Sequence, residues 1–330
     1  MAEPLLTVED LSLSFRSLEG AVQALDRVSF HLSEGEVMGF VGESGSGKSV
    51  TSLAILGLLP REATVVTGGR VVYRGRDLLA LAPREFESIR GKEIGMVFQS
   101  PGGSLNPLHR IERHLLEVLA IHRGLDGSRA RTEALQLLER VGLPPWVMRS
   151  YPHELSGGMQ QRAYIAIALA CHPAVLIADE PTSALDVSVQ AQILDLLQEL
   201  HGAGLIRSIL FITHDLGVVE ALCDRVTVLY AGQVVETGPV ADVLNAPRHP
   251  YTQGLIAAIP RMTVEEEALG HIPGTVPNLL SPPPGCRFHT RCEHAEPICR
   301  TTRPRPTRFA GDHAARCHLL EQGSAGHGLG

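Results

Sequence analysis

Residues 42–49 read Gly-Glu-Ser-Gly-Ser-Gly-Lys-Ser: a glycine, four residues, Gly-Lys and a hydroxyl. That spacing suits phosphate chemistry. Gly42, Gly45 and Gly47 let the backbone turn tightly, so the N–H groups between them, including those of Glu43, Ser44 and Ser46, can point at anionic oxygens. Lys48 would reach β- and γ-phosphates, and the Ser49 hydroxyl would hold Mg²⁺. By itself the octapeptide also reads as a Gly-Ser loop without a ligand. A second chemical element is the pair Asp179-Glu180, which ends an apolar run from Val175. Beside a phosphate loop, Asp179 can reach Mg²⁺ through water and Glu180 can polarise the water that attacks a γ-phosphate. Alone, such a pair reads as a solvated turn. The third element is the octapeptide Leu155 to Arg162, with Ser156, Gly157, Gly158 and Gln161, just before a helical run from Ala163 to Ala170. A serine and two glycines opening a helix make a second anion-binding corner, or a plain helix cap.

These residues need a scaffold of strands that end in loops. Val37 to Val41 reads as a buried strand entering the phosphate loop, and Val50 to Leu56 as the helix leaving it. Val175 to Ala178 and Ile209 to Thr213 are apolar runs of parallel-strand type. Leu5 to Phe15 alternates as a strand with Leu5, Thr7, Glu9, Leu11, Leu13 and Phe15 on one face, and Val28 to Leu32 forms another, with Ser17 to Gly20 as a turn. Arg70 to Tyr73 and Glu93 to Phe98 are further strands. Ile111 to His122 and Ser128 to Val141 carry helical periodicity, the second stopped by Gly142 to Pro145. Val226 to Tyr230 and Gln233 to Thr237 read as a hairpin around Ala231-Gly232. After Pro250 the chain becomes rich in Pro and Gly, so a domain boundary is expected near residue 255.

In this order the motifs resemble the ATP-binding subunits of ABC transporters. The resemblance implies an α/β P-loop NTPase core of ABC type with an antiparallel β subdomain and a helical subdomain. It implies that Phe15 stacks on adenine, a core position being the other reading. It implies that ATP is held by Gly42 to Ser49 and Val50, and that Mg²⁺ is held by Ser49, Gln99 and Asp179. Gln99 matches the family's Mg²⁺-sensing glutamine, and Asp186 lies in the loop Ser183 to Asp186 that crosses the dimer interface. His214, 34 residues after Glu180, matches the switch histidine and joins Glu180 as a catalytic candidate. Ser156, Gly157, Gly158 and Gln161 are implied to close over ATP held by a partner subunit.

A narrower resemblance is to the oligopeptide/dipeptide importer ATPases. It is carried by Gly42 to Ser49, Ser104-Leu105-Asn106-Pro107, Tyr151-Pro152-His153-Glu154, Ile177 to Ile193 and His249-Pro250-Tyr251-Thr252. Ser100-Pro101-Gly102-Gly103 departs from that family's usual pattern beside the membrane-subunit contact. The resemblance implies an ATPase that powers peptide uptake with two integral-membrane permease subunits, a second ABC ATPase subunit and an extracytoplasmic solute-binding protein. Nickel or another solute is an alternative cargo, and a non-transport ABC ATPase is the alternative class. Two fused ATPase domains or a long coiled coil would mark that class, and neither is visible.

Composition sets outer bounds. The 330 residues are 44% hydrophobic with a net charge of −7, which argues against nucleic acid as a partner. There is no signal peptide pattern and no run near the ~20 apolar residues that span a bilayer. The expectation is a soluble chain on the cytoplasmic face of the membrane. From Ser281 onward stand seven Arg, no Lys and four acidic residues, which read as a solvated basic surface. Cys286, Cys292, Cys299 and Cys317 are spaced C-x5-C-x6-C-x17-C in that same stretch, while Cys171 and Cys223 read as buried core thiols. A reducing compartment argues against disulfides. The stretch has too little apolar content for a core, so a metal cross-link is expected. The spacing is neither that of zinc ribbons nor that of common ferredoxin runs. The family resemblance implies a 4Fe–4S cluster, with zinc as the alternative and His289, His294, His313 and His318 as reserve ligands. The expected organisation is an ATP-binding domain over 1–255 and a small irregular Cys-rich extension over 256–330. The four-Cys site lies far in sequence from Glu180 and His214, which suggests a structural or regulatory role rather than a part in hydrolysis.

Overall fold

The computed structural model describes residues 4–99, 101–183, 185–258 and 271–324. Ser100 and Ala184, which belong to quoted motifs, and residues 259–270 and 325–330 of the expected extension lie outside the described residues. The chain opens with β1 (Leu6–Ser17), β2 (Gly20–Leu32), β3 (Val37–Val41), α1 (Lys48–Ile55), β4 (Thr64–Tyr73) and β5 (Arg76–Asp77). Then come α2 (Pro83–Glu87), β6 (Ile94–Val97), α3 (Pro101–Ser104), α4 (Ile111–Arg123), α5 (Gly127–Arg140), α6 (Gly157–Leu169), β7 (Val175–Asp179), α7 (Val187–Gly202) and β8 (Ser208–Thr213). It closes with α8 (Leu216–Leu222), β9 (Arg225–Tyr230), β10 (Gln233–Pro239), α9 (Val240–Asn245), α10 (Pro250–Ala257), α11 (Pro297–Thr301), β11 (Pro306–Arg308), β12 (Ala314–Arg316) and α12 (His318–Ser324). Among the described residues no helix is long and apolar enough to cross a membrane.

Two compact units form. The first combines Met1–Leu32, Met38–Leu79 and Thr213–Gly330, and the second Ser33–Val37 and Ala80–Ile212. In the first, an antiparallel sheet runs β2-β1-β4-β5. Its inward set on β1 is Leu6, Val8, Leu11 and Leu13, not the strict alternation expected from Leu5. Asp10 at φ 46 and a register shift between Val8 and Leu11 explain the change of phase. A bulge inserts one residue, and every later side chain changes face. The same unit holds the strand order β11-β12-β10-β9-β3, with β3 parallel to β9 and the others antiparallel.

The second unit carries the parallel strands β6, β7 and β8. Every residue of β7 and β8 is buried, as near-continuous apolar runs of parallel sheets require. Ile111, Leu115 and Leu119 recur at four-residue spacing and bury one face of α4.

The region after residue 270 departs from the expected irregular extension. Phe288 enters the core of the first unit with Val41, Val228, Tyr230 and Tyr251. Its ring lies edge-on to Tyr230 at 5.1 Å and 5.4 Å from Tyr251. β12 pairs with β10 through Glu236↔Ala315 and Thr237↔Ala314. The segment has too little apolar surface for a core of its own, and it shares one instead.

The basic surface expected there holds for Arg300, Arg305 and Arg308, which are exposed, but not for Arg287 and Arg291, which are 2% and 8% exposed. Arg287 donates to Asp26 at 3.0 Å, to the Ala231 carbonyl and to Gln23. Arg303 donates to both Asp26 oxygens, and Gln233 donates to one at 2.8 Å. Burial raises the Asp26 pKa, but the bonds from Arg303 and Gln233 and the charges of Arg287 and Arg303 outweigh it and hold the carboxyl below its ordinary range. Asp26→Ala should therefore lower unfolding stability by about 3–5 kcal/mol, the usual cost of leaving buried cations without their anion. In the wild type the part of the stability linked to the lowered Asp26 pKa is present above the ordinary value of 3.8 and fades as the pH falls through the depressed folded value. Denaturant unfolding at neutral and acidic pH measures both, and a loss under about 1 kcal/mol at neutral pH would contradict this role for Asp26.

Candidate functional site

In the first unit, β3 delivers the chain into the glycine loop. Gly42 stands at φ 153, and a β-carbon there would lie 2.2 Å from the Leu229 carbonyl oxygen, so only glycine fits. Gly47 caps α1 from the left-handed region, with no side-chain cap and no acidic residue in the first turn. No side chain caps α1, and the positive end of a helix favours an anion. Lys48 is 5% exposed, and its Nζ donates to the Gly42 carbonyl at 2.6 Å and the Glu43 carbonyl at 3.1 Å. Ser46 Oγ is buried without a hydrogen-bond partner among the described residues. A cationic amine, uncapped N–H groups and an orphaned hydroxyl fit a chain of phosphates. Ser44, Gly45 and Ser49 are exposed and Val50 is half-buried. Phe15 is half-buried near the end of β1 rather than part of the core, which leaves ring surface for stacking. His214 is exposed, and Asp215 after it caps α8 by accepting from Gly217 at 2.8 Å.

In the second unit, Asp179 ends β7 and is buried, with Glu180 next. Glu180 adopts φ 46, a left-handed conformation that costs a residue with a β-carbon about 1–2 kcal/mol. Its N–H donates to Ile212 at 2.9 Å and its carbonyl accepts from the Ser183 N–H at 3.2 Å, so the strain is held in place. Gln99 Nε2 donates to Glu180 Oε2 at 3.1 Å, bringing two of the expected site residues together. Ser156 and Gly157 are exposed, and Ser156 caps the 13-residue α6 by accepting from Met159. A β-carbon on Gly158 would lie 2.7 Å from Val189, so a side chain there would push α6 off the start of α7. Asp186 caps α7, and bonds from Val189 and Ser188 hold its carboxyl below the ordinary range. Gln161 is 1% exposed, on the interior side of α6 rather than on its open end.

The four clustered cysteines belong to the first unit, and none forms a disulfide. Cys286 and Cys292 are half-buried, while Cys299 and Cys317 are buried. The Cys286 N–H donates to the Cys299 carbonyl at 2.8 Å. Burial, and then the nearness of the other three, pushes the Cys286 thiol up to about 12. Cys317 is pushed up to about 11 by burial, then by Cys292, Cys299 and Glu321. Among the described residues, however, no group of three or more His, Cys, Asp or Glu is gathered as a site for a metal ion. A single zinc needs sulfurs about 2.3 Å from one point, and this arrangement does not supply that. Three reserve histidines are engaged elsewhere: His313 with Glu236 at 2.7 Å, His318 with the Thr302 carbonyl at 2.8 Å and His289 with the Cys286 carbonyl at 2.8 Å. Cys171 and Cys223 are half-buried, and Cys223 packs against the core of the first unit.

Sequence reasoning missed Tyr251 and Arg291 as neighbours of the loop. The Tyr251 hydroxyl accepts from the Glu43 N–H at 2.9 Å, and Arg291 pairs with the Glu43 carboxylate at 2.8 Å. The only signal was the arginine-rich stretch itself, which gave no indication of its distant partners.

Comparison with known proteins follows the same lines. Residues 25–183 match the family described as ABC transporter, and residues 235–299 match one described as the C-terminal region of oligopeptide/dipeptide transporters. The oligopeptide transport ATP-binding protein OppD of Bacillus subtilis is 48% identical over 96% of this chain and 89% of its own length. The dipeptide transport ATP-binding protein DppD of the same organism is 45% identical over 97% of this chain and 96% of its own. Among solved structures, the ATP-binding cassette MJ0796, as a dimer bound to ADP and Pi, superposes with a TM-score of 0.63 at 32% identity, over 71% of this chain and 98% of that one.

The loop geometry yields a direct test. Gly42→Ala should displace the loop and weaken binding of a fluorescent nucleoside triphosphate by about tenfold or more, since charge-assisted N–H contacts of about 1.5–3 kcal/mol each are lost. An unchanged dissociation constant would mean that the loop does not contact the phosphates.

Proposed function

Since the chain belongs to the ABC transporter ATP-binding proteins, in their oligopeptide/dipeptide branch, and is therefore an ABC-type ATPase, we propose that it energises the uptake of peptides across the cytoplasmic membrane. The observation that carries this reading is the phosphate loop, with Lys48 turned into it and α1 left uncapped behind it. Mg²⁺, when bound with ATP, draws charge from the β- and γ-oxygens. The chain's own residues do the rest. Loop N–H groups and Lys48 would hold the phosphates, Ser49 and Asp179 are the residues that would offer oxygens to the metal, and Phe15 would offer a ring to adenine.

Glu180 takes the proton of the attacking water. The Gln99 amide holds its carboxylate through one oxygen. His214 would meet the γ-phosphate. Ser156 and Gly157, exposed at the start of α6, would close over ATP held by a second ABC ATPase subunit, with Gly158 keeping α6 close to α7. Asp186 would sit at the same junction. The two permease subunits and the solute-binding protein complete the assembly, with this chain peripheral on the cytoplasmic face. Residues 1–255 would be the ATP-binding part and 256–330 the extension.

Glu180→Gln keeps the shape but cannot accept a proton. ATP should still bind, while turnover in the assembled complex should fall by about 10²–10⁴-fold. Hydrolysis at a near-native rate would remove Glu180 from this role.

We further propose that Cys286, Cys292, Cys299 and Cys317 hold a 4Fe–4S cluster. The nearness of the four free cysteines to one another supports this. Protein purified without oxygen should be brown, with about four iron and four sulfide per chain, and Cys292→Ser should bleach it. Colourless protein, with zinc or with no metal, would overturn the cluster.

A further inference from the structure

The arginine next to Cys292 reaches the phosphate loop. Arg291 Nη1 and Nη2 donate to the two oxygens of Glu43 at 2.8 and 3.1 Å. Its Nε donates to the Pro273 carbonyl at 2.7 Å, and the remaining hydrogens go to the Ile272 carbonyl at 3.2 Å and the Tyr230 hydroxyl at 3.3 Å. All five donors of the guanidinium are thereby used. Its side chain is 5% exposed, so this is not a solvated arginine that happens to lie near an acid.

Glu43 is in turn held at every polar group. Its side chain accepts from Arg291, its N–H donates to the Tyr251 hydroxyl at 2.9 Å, and its carbonyl accepts from Lys48 Nζ at 3.1 Å. Glu43 is the second residue of the loop, and Lys48 is its lysine. One residue therefore links the guanidinium of the C-terminal segment to the amine that would meet the phosphates.

We propose that Arg291 is a positioning residue for nucleotide binding: through Glu43 it fixes the entrance of the phosphate loop, so the C-terminal segment takes part in setting ATP affinity. The inference rests on the reading of Gly42 to Ser49 as a nucleotide loop. A bidentate guanidinium–carboxylate pair fixes both distance and angle, which a lysine ammonium cannot do. Holding the loop in its binding shape beforehand removes an ordering cost from the binding step.

The test uses the full chain and a fluorescent ATP analogue, with thermal melting in parallel. Arg291→Ala, Arg291→Lys and Glu43→Ala should each weaken binding by about tenfold, the size of a lost charge-assisted pair. The double variant of Arg291→Ala and Glu43→Ala should be no weaker than the weaker single, because both remove one link. In the assembled transporter, KM for ATP should rise while kcat at saturating ATP changes less. Arg291→Lys keeps a cation opposite Glu43 but not the bidentate geometry, so it keeps the test valid should Arg291→Ala melt the C-terminal segment. Lys48→Ala is the control for the underlying reading. If Lys48→Ala abolishes binding but Glu43→Ala and Arg291→Lys bind as the wild type does, the positioning role is wrong. If Lys48→Ala also binds normally, the loop reading itself fails, and this inference with it.

Discussion

The first unit depends on one buried carboxylate. Asp26 is 5% exposed and lies beneath Arg287, Arg303 and Gln233. Removing these charges from water is costly, and an apolar cluster of equal volume would be as stable or more so. What the ion network adds is position. Asp26 belongs to β2, Gln233 to β10, and the two arginines to the C-terminal segment. The Asp26 N–H also donates to the Gly232 carbonyl, and the Gly232 N–H donates to the Ser46 carbonyl in the phosphate loop, at 2.9 and 2.8 Å. The loop is therefore backed by a hairpin turn whose location is fixed by charge.

That turn is strained in a way the network can hold. Ala231 and Gly232 both have positive φ, 48 and 79, the geometry of a tight two-residue hairpin. Asparagine is the usual first residue there, but Ala231 is fully buried, and an amide would need partners. Arg287 instead donates to the Ala231 carbonyl from outside the turn. Glu180 shows the same principle in the second unit, where a left-handed residue is tolerated because its backbone bonds are satisfied. In both cases a local backbone cost fixes the direction of a functional group.

Much of this was legible in the sequence because it is local. The phosphate loop, the acid pair ending β7, and the cap of α6 each depend on neighbours within a few residues, and each lies in the strand–loop or loop–helix context that its spacing suggested. The early half of β2 was not visible, since Ala21 to Arg27 has no clean alternation, and Arg27 at φ 51 breaks the pleat. The phase of β1 was misread for the same reason at Asp10. Gln161 drew notice through its place in the octapeptide, yet helical geometry turns it inward.

The arginines of the C-terminal segment show where local reading ends. Charge counts cannot tell a solvated guanidinium from one with five acceptors, because the acceptors are chosen by the fold. For Arg287 and Arg291 the carboxylate partners lie 261 and 248 residues upstream. Their burial also changes how the extension is to be understood. A chain cut near residue 255 would leave Asp26 and Glu43 without their cations, and the core around Tyr230 and Tyr251 without Phe288. An unpaired buried carboxylate costs more than the pair contributes. The segment that looked like an appendage is thus part of the surroundings that hold the phosphate loop, and the loop's shape is a property of residues from both ends of the chain.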